Sequence, residues 1–357
     1  MKKKILFITC TRADYGKLKS TIINIQKNNN FISGVFVSGM HNMKRYGSTY
    51  EEIINDKIHG IYRYSNQTKN MRMDEILMST MRGFSPFLIR YNPDLVIVHG
   101  DRIEPLACAL SSLLNNFLVA HIEGGEVSGT VDEMLRHSIS KISHLHLVSN
   151  KTARKRLIQM GENKKYIFEV GSPDVDVILS DSLPKLDSAR KRYNIRFGKF
   201  SIVIIHPVTT NLKNLKRESE IFFSALVKTN LNYIVLFPNN DLGSEMILKE
   251  IHKLKSNNRF KIFPSIRFEY YLTLLKNSQF IIGNSSSGIM EAPYYGVTTI
   301  NIGNRQSNRL KTKLIKNISF NEKKIIKMVD QVKNRKIIKR KFFGDGNSAE
   351  KIEKLLL

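Results

Sequence analysis

Short apolar runs alternate with longer amphipathic stretches along nearly the whole chain, a pattern that predicts βαβ units and parallel sheets. In the first half the strand candidates are residues 5–10, 34–38, 95–99, 118–122, 145–149 and 167–170. In the second half they are 201–206, 233–237, 261–263, 280–282 and 298–302. An α/β fold with two doubly wound parallel-sheet domains is the expectation. The polar stretch 181–199 ends just before the apolar run 202–205, so the domains are expected at 1–182 and 183–340. Residues 341–357 contain a terminal helix, with Ser348 as its expected N-cap, that packs back across the first domain. Residues 323–343 are expected to form a basic amphipathic helix followed by a loop.

Length supports two cores, since 357 residues exceed what one ordinary core organises. Hydrophobic residues make up 41% and charged residues 25%, which is average for globular domains, and no apolar run reaches the ~18 residues of a membrane span. Cys10 and Cys108 are too few for a disulfide framework and lack metal-ligand spacing, so a reducing, cytoplasmic setting is expected. The apolar stretch after Met1-Lys2-Lys3-Lys4 is too short for a secretory leader and reads as a buried first strand.

The net charge of +26 raises the question of nucleic acid. Lysines are scattered, aromatics do not interleave with basic clusters, and no zinc-finger, RRM or KH signature is present. The expected partner is therefore a small anionic substrate drawn in by a positive field, without nucleic acid and without membrane insertion.

In open α/β sheets ligands sit beyond the carboxyl ends of strands, so the polar residues ending each apolar run carry the candidate chemistry. After the first strand, Thr11-Arg12-Ala13-Asp14-Tyr15-Gly16-Lys17 sets Arg12 and Lys17 near a helix N-terminus, a place suited to phosphate; a surface turn capped by Asp14 is the plainer reading. Ser38-Gly39-Met40-His41 follows the second strand in the same way. His99-Gly100-Asp101-Arg102 brings an imidazole, a carboxylate and a guanidinium to one strand end, groups that are expensive to bury together without a task. Asp101 could instead simply cap a helix beginning near Glu104.

The next strand ends in His121-Ile122-Glu123-Gly124-Gly125-Glu126, so two consecutive strands deliver carboxylates to one sheet edge. Asp132 and Arg136 follow, four apart on one helix face. Either Asp132 caps and pairs with Arg136, or it faces the same site as Asp101 and Glu123. His144 and His146 alternate along a strand, and without a second close pair a structural role fits them better than a metal.

In the second half, Ile205-His206-Pro207 and Phe237-Pro238-Asn239-Asn240-Asp241 repeat the strand-end pattern. Ile282-Gly283-Asn284-Ser285-Ser286-Ser287-Gly288 opens a strand into a Gly/Ser turn that presents N–H groups and hydroxyls to a diphosphate, with Glu291 placed for a ribose. The loop Gly303-Asn304-Arg305-Gln306-Ser307-Asn308-Arg309 adds Arg305, which either closes on a nucleotide or lies in solvent.

As an ordered set these motifs resemble the UDP-N-acetylglucosamine 2-epimerases, and within them the hydrolysing branch of bacterial sialic-acid synthesis. The resemblance also draws on Arg136-His137-Ser138-Ile139-Ser140-Lys141 and covers essentially residues 3–309. It implies a GT-B fold of two Rossmann-like domains with the active site in the cleft between them. It implies Asp101, Glu123 and Asp132 as catalytic groups. For substrate and UDP it implies Arg12, Lys17, His41, Arg102, His121, Arg136, His206, Asn240, Gly283, Ser285, Ser286, Glu291 and Arg305. The family's chemistry removes the C2 proton, expels UDP to give 2-acetamidoglucal, and adds water with inversion at C2. No cofactor or metal is implied, and a homodimer is. Asp132 stands where the nonhydrolysing branch carries glutamate.

Three other readings remain. The same reaction on a UDP- or GDP-linked 2,4-diacetamido-2,4,6-trideoxyhexose would use the same motifs. A GT-B glycosyltransferase would share the phosphate turn but has no need of three carboxylates around C2. A basic nucleic-acid-binding protein would show salt-dependent binding and no turnover.

Overall fold

Seven parallel strands form the first sheet of the computed structural model, which describes residues 2–68, 71–307, 309–310, 312–333 and 338–357. They are β1 (Lys3–Thr9), β2 (Phe31–Val37), β3 (Ile61–Arg63), β4 (Leu95–His99), β5 (Val119–Ile122), β6 (Leu145–Val148) and β7 (Ile167–Glu169), in spatial order β3-β2-β1-β4-β5-β6-β7. Six strands form the second: β8 (Ser201–Ile204), β9 (Tyr233–Leu236), β10 (Phe260–Phe263), β11 (Phe280–Gly283), β12 (Thr298–Ile302) and β13 (Ile315–Ile318). Their order is β10-β9-β8-β11-β12-β13. Every pairing is parallel, as the continuous apolar runs require.

Alternation along β1 shows how the first sheet is buried on both faces. Ile5 and Phe7 join Leu18, Ile22, Val35 and Ile97 on one side, whereas Leu6 and Ile8 meet Phe36, Phe84, Leu88 and Val96 on the other. The second sheet packs Val203, Val235, Ile282 and Ile300 against Phe222, Leu226, Ile247 and Val329. The strand order reverses between β1 and β4 in one sheet and between β8 and β11 in the other. At such switch points two neighbouring chains leave the sheet in opposite directions, which opens a crevice at the strand ends.

The chain divides into two compact units. The first contains Met1–Val127, Asp132–Ser180 and Phe343–Leu357, and the second contains Ser128–Val131 and Asp181–Phe342. The helix Glu322–Val332 occupies the expected amphipathic segment; residues 334–337 of the expected basic loop lie outside the described residues, as does Asn308 of the 303–309 loop.

The terminal helix Ser348–Leu356 lays Ile352 and Leu356 on the same core face as Leu18 and Ile22. Its cap differs from the expectation. Ser348 is the first helical residue, and the orphan N–H groups of Ser348 and Ala349 donate at 2.9 and 2.7 Å to the two carboxylate oxygens of Asp176 in the helix Pro173–Ile178. A tertiary carboxylate thus replaces the local hydroxyl cap, with the favourable sign at a helix N-terminus. Replacing Asp176 with alanine should cost about 1–3 kcal/mol, because both donors lose their partner. Urea unfolding should show a lower midpoint, and hydrogen exchange should show lost protection in Ser348–Leu356; an unchanged midpoint would remove Asp176 as the cap.

Candidate active site

The turn after β1 is built by one carboxylate. Asp14 accepts from the Thr9 hydroxyl at 2.6 Å and from the backbone N–H groups of Cys10 and Thr11 at 2.9 and 3.0 Å, while its own N–H donates to Thr11 Oγ1. This capping box starts the helix Arg12–Lys27 and fixes the directions of Arg12 and Lys17. Arg12 forms a short hydrogen bond with Glu52. His41 is sealed behind the turn, with Nε2 at 3.0 Å from Thr9 Oγ1 and Nδ1 at 2.7 Å from Thr49 Oγ1.

The ladder of β4 with β5 pairs His99 with Ile122, which brings the chain turns bearing Asp101 and Glu123 side by side. His121 Nε2 donates to the Gly100 carbonyl at 2.8 Å and Nδ1 lies 3.0 Å from Ser140 Oγ, so this buried ring braces the turn that carries Asp101. Asp101 itself forms a short ion pair with Arg136, whose other arm donates to the Glu126 carbonyl at 3.2 Å. The guanidinium of Arg136 therefore serves Asp101. Asp132 lies in the first turn of the helix Val131–Lys141, half-buried. Asp101 does not cap the following helix Ile103–Leu114, whose cap position is Arg102, with Arg102 Nε 3.6 Å from buried Glu104.

Glu123 is the most constrained of the group. It adopts φ +63°, a left-handed conformation unusual for a side chain of its size, and is 4% exposed. His99 Nε2 lies 3.3 Å from Oε2, Lys17 Nζ lies 3.8 Å from Oε1, and the Ser172 hydroxyl makes a short hydrogen bond to Oε1. Burial pushes the Glu123 carboxyl up, but Lys17 and His99 outweigh it and hold the group well below the usual carboxylate range. At neutral pH Glu123 is an anion.

His41 and His121 are pushed down from the ordinary 6.5 to about 4 and about 3, burial being the first cause of each. Both remain neutral at pH 7. Because the unfolded rings titrate near 6.5, their contribution to stability is complete above that pH and is lost as pH falls from there through the folded values. The urea midpoint should fall between pH 6.5 and 4 while the His41 and His121 imidazole resonances stay neutral at pH 5. A charged form of either ring at pH 5.5 would contradict the burial argument.

In the second unit, His206 follows β8 and the Ser turn follows β11, its neighbour across the switch point. Asn284 bolts them together: its N–H donates to the Ile204 carbonyl at 3.1 Å, its side chain accepts from His206 N at 2.7 Å and donates to the His206 carbonyl at 2.9 Å. The Asn284 carbonyl receives Arg305 Nη1 at 3.3 Å and Gln306 Nε2 at 3.1 Å. His206 Nδ1 accepts from Asn239 N at 3.0 Å, so the neutral ring carries its proton on Nε2. Asn240 is half-buried beside this contact. Ser285 and Ser286 are half-buried at the entrance to the helix Ser287–Met290, Gly283 has φ +136°, and Glu291 is buried at the far end of that helix.

The first unit thus gathers Asp101, Glu123, Lys17, Arg136, His99 and His121, and the second gathers His206, Ser285, Ser286 and Arg305 around Asn284. Three contributors escaped sequence reasoning: Asn284 as the bolt, Ser172 beside Glu123 and Asp174 beside Lys17. Gly171-Ser172-Pro173-Asp174 follows β7 and carries the same strand-end signal as the other turns. His146 meets Glu162 at 3.1 Å, His144 accepts from Val119 N at 3.1 Å, and no group of three metal-binding side chains occurs among the described residues.

Two doubly wound parallel sheets with their polar side chains at the strand ends define a two-domain α/β protein of the GT-B type. Residues 23–357 match the UDP-N-acetylglucosamine 2-epimerase family, and the chain belongs to that family. It is 46% identical, over 92% of its length and 87% of the relative's, to the UDP-N-acetylglucosamine 2-epimerase of Neisseria meningitidis serogroup B. It is 33% identical, over 100% and 96%, to the hydrolyzing UDP-N,N'-diacetylbacillosamine 2-epimerase of Legionella pneumophila. The fold superposes with a TM-score of 0.84 on the Methanocaldococcus jannaschii UDP-GlcNAc 2-epimerase in complex with UDP-GlcNAc and UDP, at 24% identity over 100% and 99% of the chains.

Proposed function

We propose that the protein is a hydrolysing UDP-N-acetylglucosamine 2-epimerase that converts UDP-N-acetylglucosamine and water to N-acetylmannosamine and UDP. The observation that carries this reading is the pair of carboxylates on adjacent strand ends, with Glu123 held ionised by Lys17 and His99. Elimination takes the C2 proton and breaks the C1–O bond to UDP, leaving 2-acetamidoglucal. Hydration then places hydroxyl on C1 and a proton on the opposite face of C2. Asp101, Glu123 and Asp132 supply these proton transfers. Because the C2 hydrogen is barely acidic, donors that stabilise the departing diphosphate lower the barrier most. Ser285, Ser286 and His206 are assigned that role, with Arg12 at the phosphates and Glu291 at the ribose. The 46% identical Neisseria relative supports the substrate, and the Legionella relative, whose name specifies hydrolysis, supports release of the free sugar. On this reading the enzyme works as a cytoplasmic homodimer in sialic-acid or surface-glycan synthesis.

The Legionella relative also supports a second reading, in which the sugar is a 2,4-diacetamido-2,4,6-trideoxyhexose linked to UDP or GDP. Incubation with UDP-N-acetylglucosamine in heavy water, followed by NMR, separates them. The expected products are UDP and N-acetylmannosamine deuterated at C2. Turnover of only the diacetamido sugar nucleotide would overturn the substrate, and UDP-N-acetylmannosamine as sole product would overturn hydrolysis.

A further inference from the structure

Asp174 is a buried anion that nothing in the packing calls for. It is fully buried at the second position of the helix Pro173–Ile178, and neither carboxylate oxygen has a hydrogen-bond donor among the described residues. Its ion pair is with Lys17 Nζ at 3.2 Å, and the same nitrogen lies 3.8 Å from Glu123 Oε1. A carboxylate taken out of water without hydrogen bonds is costly, and a neutral side chain of the same shape would cost the fold less. Ser172, two positions earlier, supplies the hydroxyl on Glu123 Oε1. One short segment thus provides both a donor to Glu123 and an anion to the ammonium beside it.

We propose that Asp174 is a positioning residue that keeps the Lys17 ammonium charged and fixed beside Glu123, so that Lys17 stays in the acid/base group across the working pH range. The proposal rests on the reading of Glu123 as an acid/base group. The charges facing this cluster are Lys17 on the helix Arg12–Lys27, His99 on β4, His121 on β5, and Asp174 and Asp176 on the helix Pro173–Ile178; the terminal helix places the N–H groups of Ser348 and Ala349 on Asp176. An ammonium this buried loses its proton more easily once the opposite charge at 3.2 Å is removed. The alkaline side of the activity profile is where the loss is read.

The test compares the intact chain with Asp174→Asn and Asp174→Glu. Asp174→Asn should lower kcat about tenfold or more with KM little changed, and should move the alkaline limb of kcat/KM down by about one pH unit or more. Asp174→Glu, which keeps the anion, should restore most of both. Lysine labelled with 13C at Cε, with Lys17 assigned through Lys17→Arg, should show the Lys17 titration moving down in Asp174→Asn and lying near the wild-type position in Asp174→Glu. An unmoved Lys17 titration in folded Asp174→Asn overturns the proposal, as does an unmoved alkaline limb, or an Asp174→Glu variant as impaired as the amide. If Asp174→Asn does not fold, the Asp174→Glu comparison decides. A wild-type protein inert toward UDP-N-acetylglucosamine would sink the functional reading while the Lys17 titration still decides whether Asp174 controls that ammonium.

Discussion

Asp132→Asn should lower kcat by roughly 10²-fold or more while leaving the unfolding midpoint where it is, and it is the cleanest of the three carboxylate tests. Asp132 is half-buried in a first helical turn, and the unfolding midpoint shows whether a loss of rate belongs to the chemistry. Glu123→Gln should cost at least as much activity, because the anion that Lys17 and His99 hold in place no longer exists to take a proton. Asp101→Asn carries a second penalty. It removes the anion of the Arg136 ion pair, and the unfolding midpoint should fall with the rate. Steady-state rates read beside urea midpoints separate these cases. Activity within about threefold of wild type in a folded Asp132→Asn protein would remove that residue from the mechanism.

The second large effect is structural. A Cβ on Gly283 would sit 1.9 Å from the Ile204 carbonyl oxygen and 2.6 Å from its carbon, at a φ of +136° that L side chains rarely adopt. The obstacle is backbone of the neighbouring strand and cannot rotate away. Gly283→Ala should therefore destabilise the second unit by about 4 kcal/mol or more, enough to remove most soluble protein or UDP binding. Gly198, which has open space around its Cβ position, is the matched control and should change stability by about 0.5 kcal/mol or less on the same replacement. A stable Gly283→Ala protein that retains nucleotide binding would mean the β8 and β11 ends are not held as described.

The central strands were legible because they are buried on both faces and carry uninterrupted apolar residues. β4 and β12 fall at 95–99 and 298–302, the predicted bounds. Strands β3 and β13 were not, since neither carries a continuous apolar run: Ile61-Tyr62-Arg63 is three residues long and partly exposed, and Ile315-Lys316-Asn317-Ile318 is half polar. The carboxylates Asp101 and Glu123 could be singled out because each ends an apolar run. Their partners could not. Arg136 pairs with Asp101 on a different element, which helical spacing cannot report; Asp174 reaches Lys17 only because two helices distant in sequence pack together. Asn284 was visible within its Gly-Asn-Ser turn, but its role depends on β8 lying next to β11, which no local pattern reports.

The route of the chain has a consequence for synthesis. The second unit is nearly one continuous stretch, Asp181–Phe342, whereas the first needs Phe343–Leu357 to cover Leu18 and Ile22 and to satisfy Asp176. Residues 343–357 leave the ribosome only after the whole of the second unit. The amino-terminal unit, made first, must wait with part of its first helix uncovered, and the later-made unit can complete its fold before it.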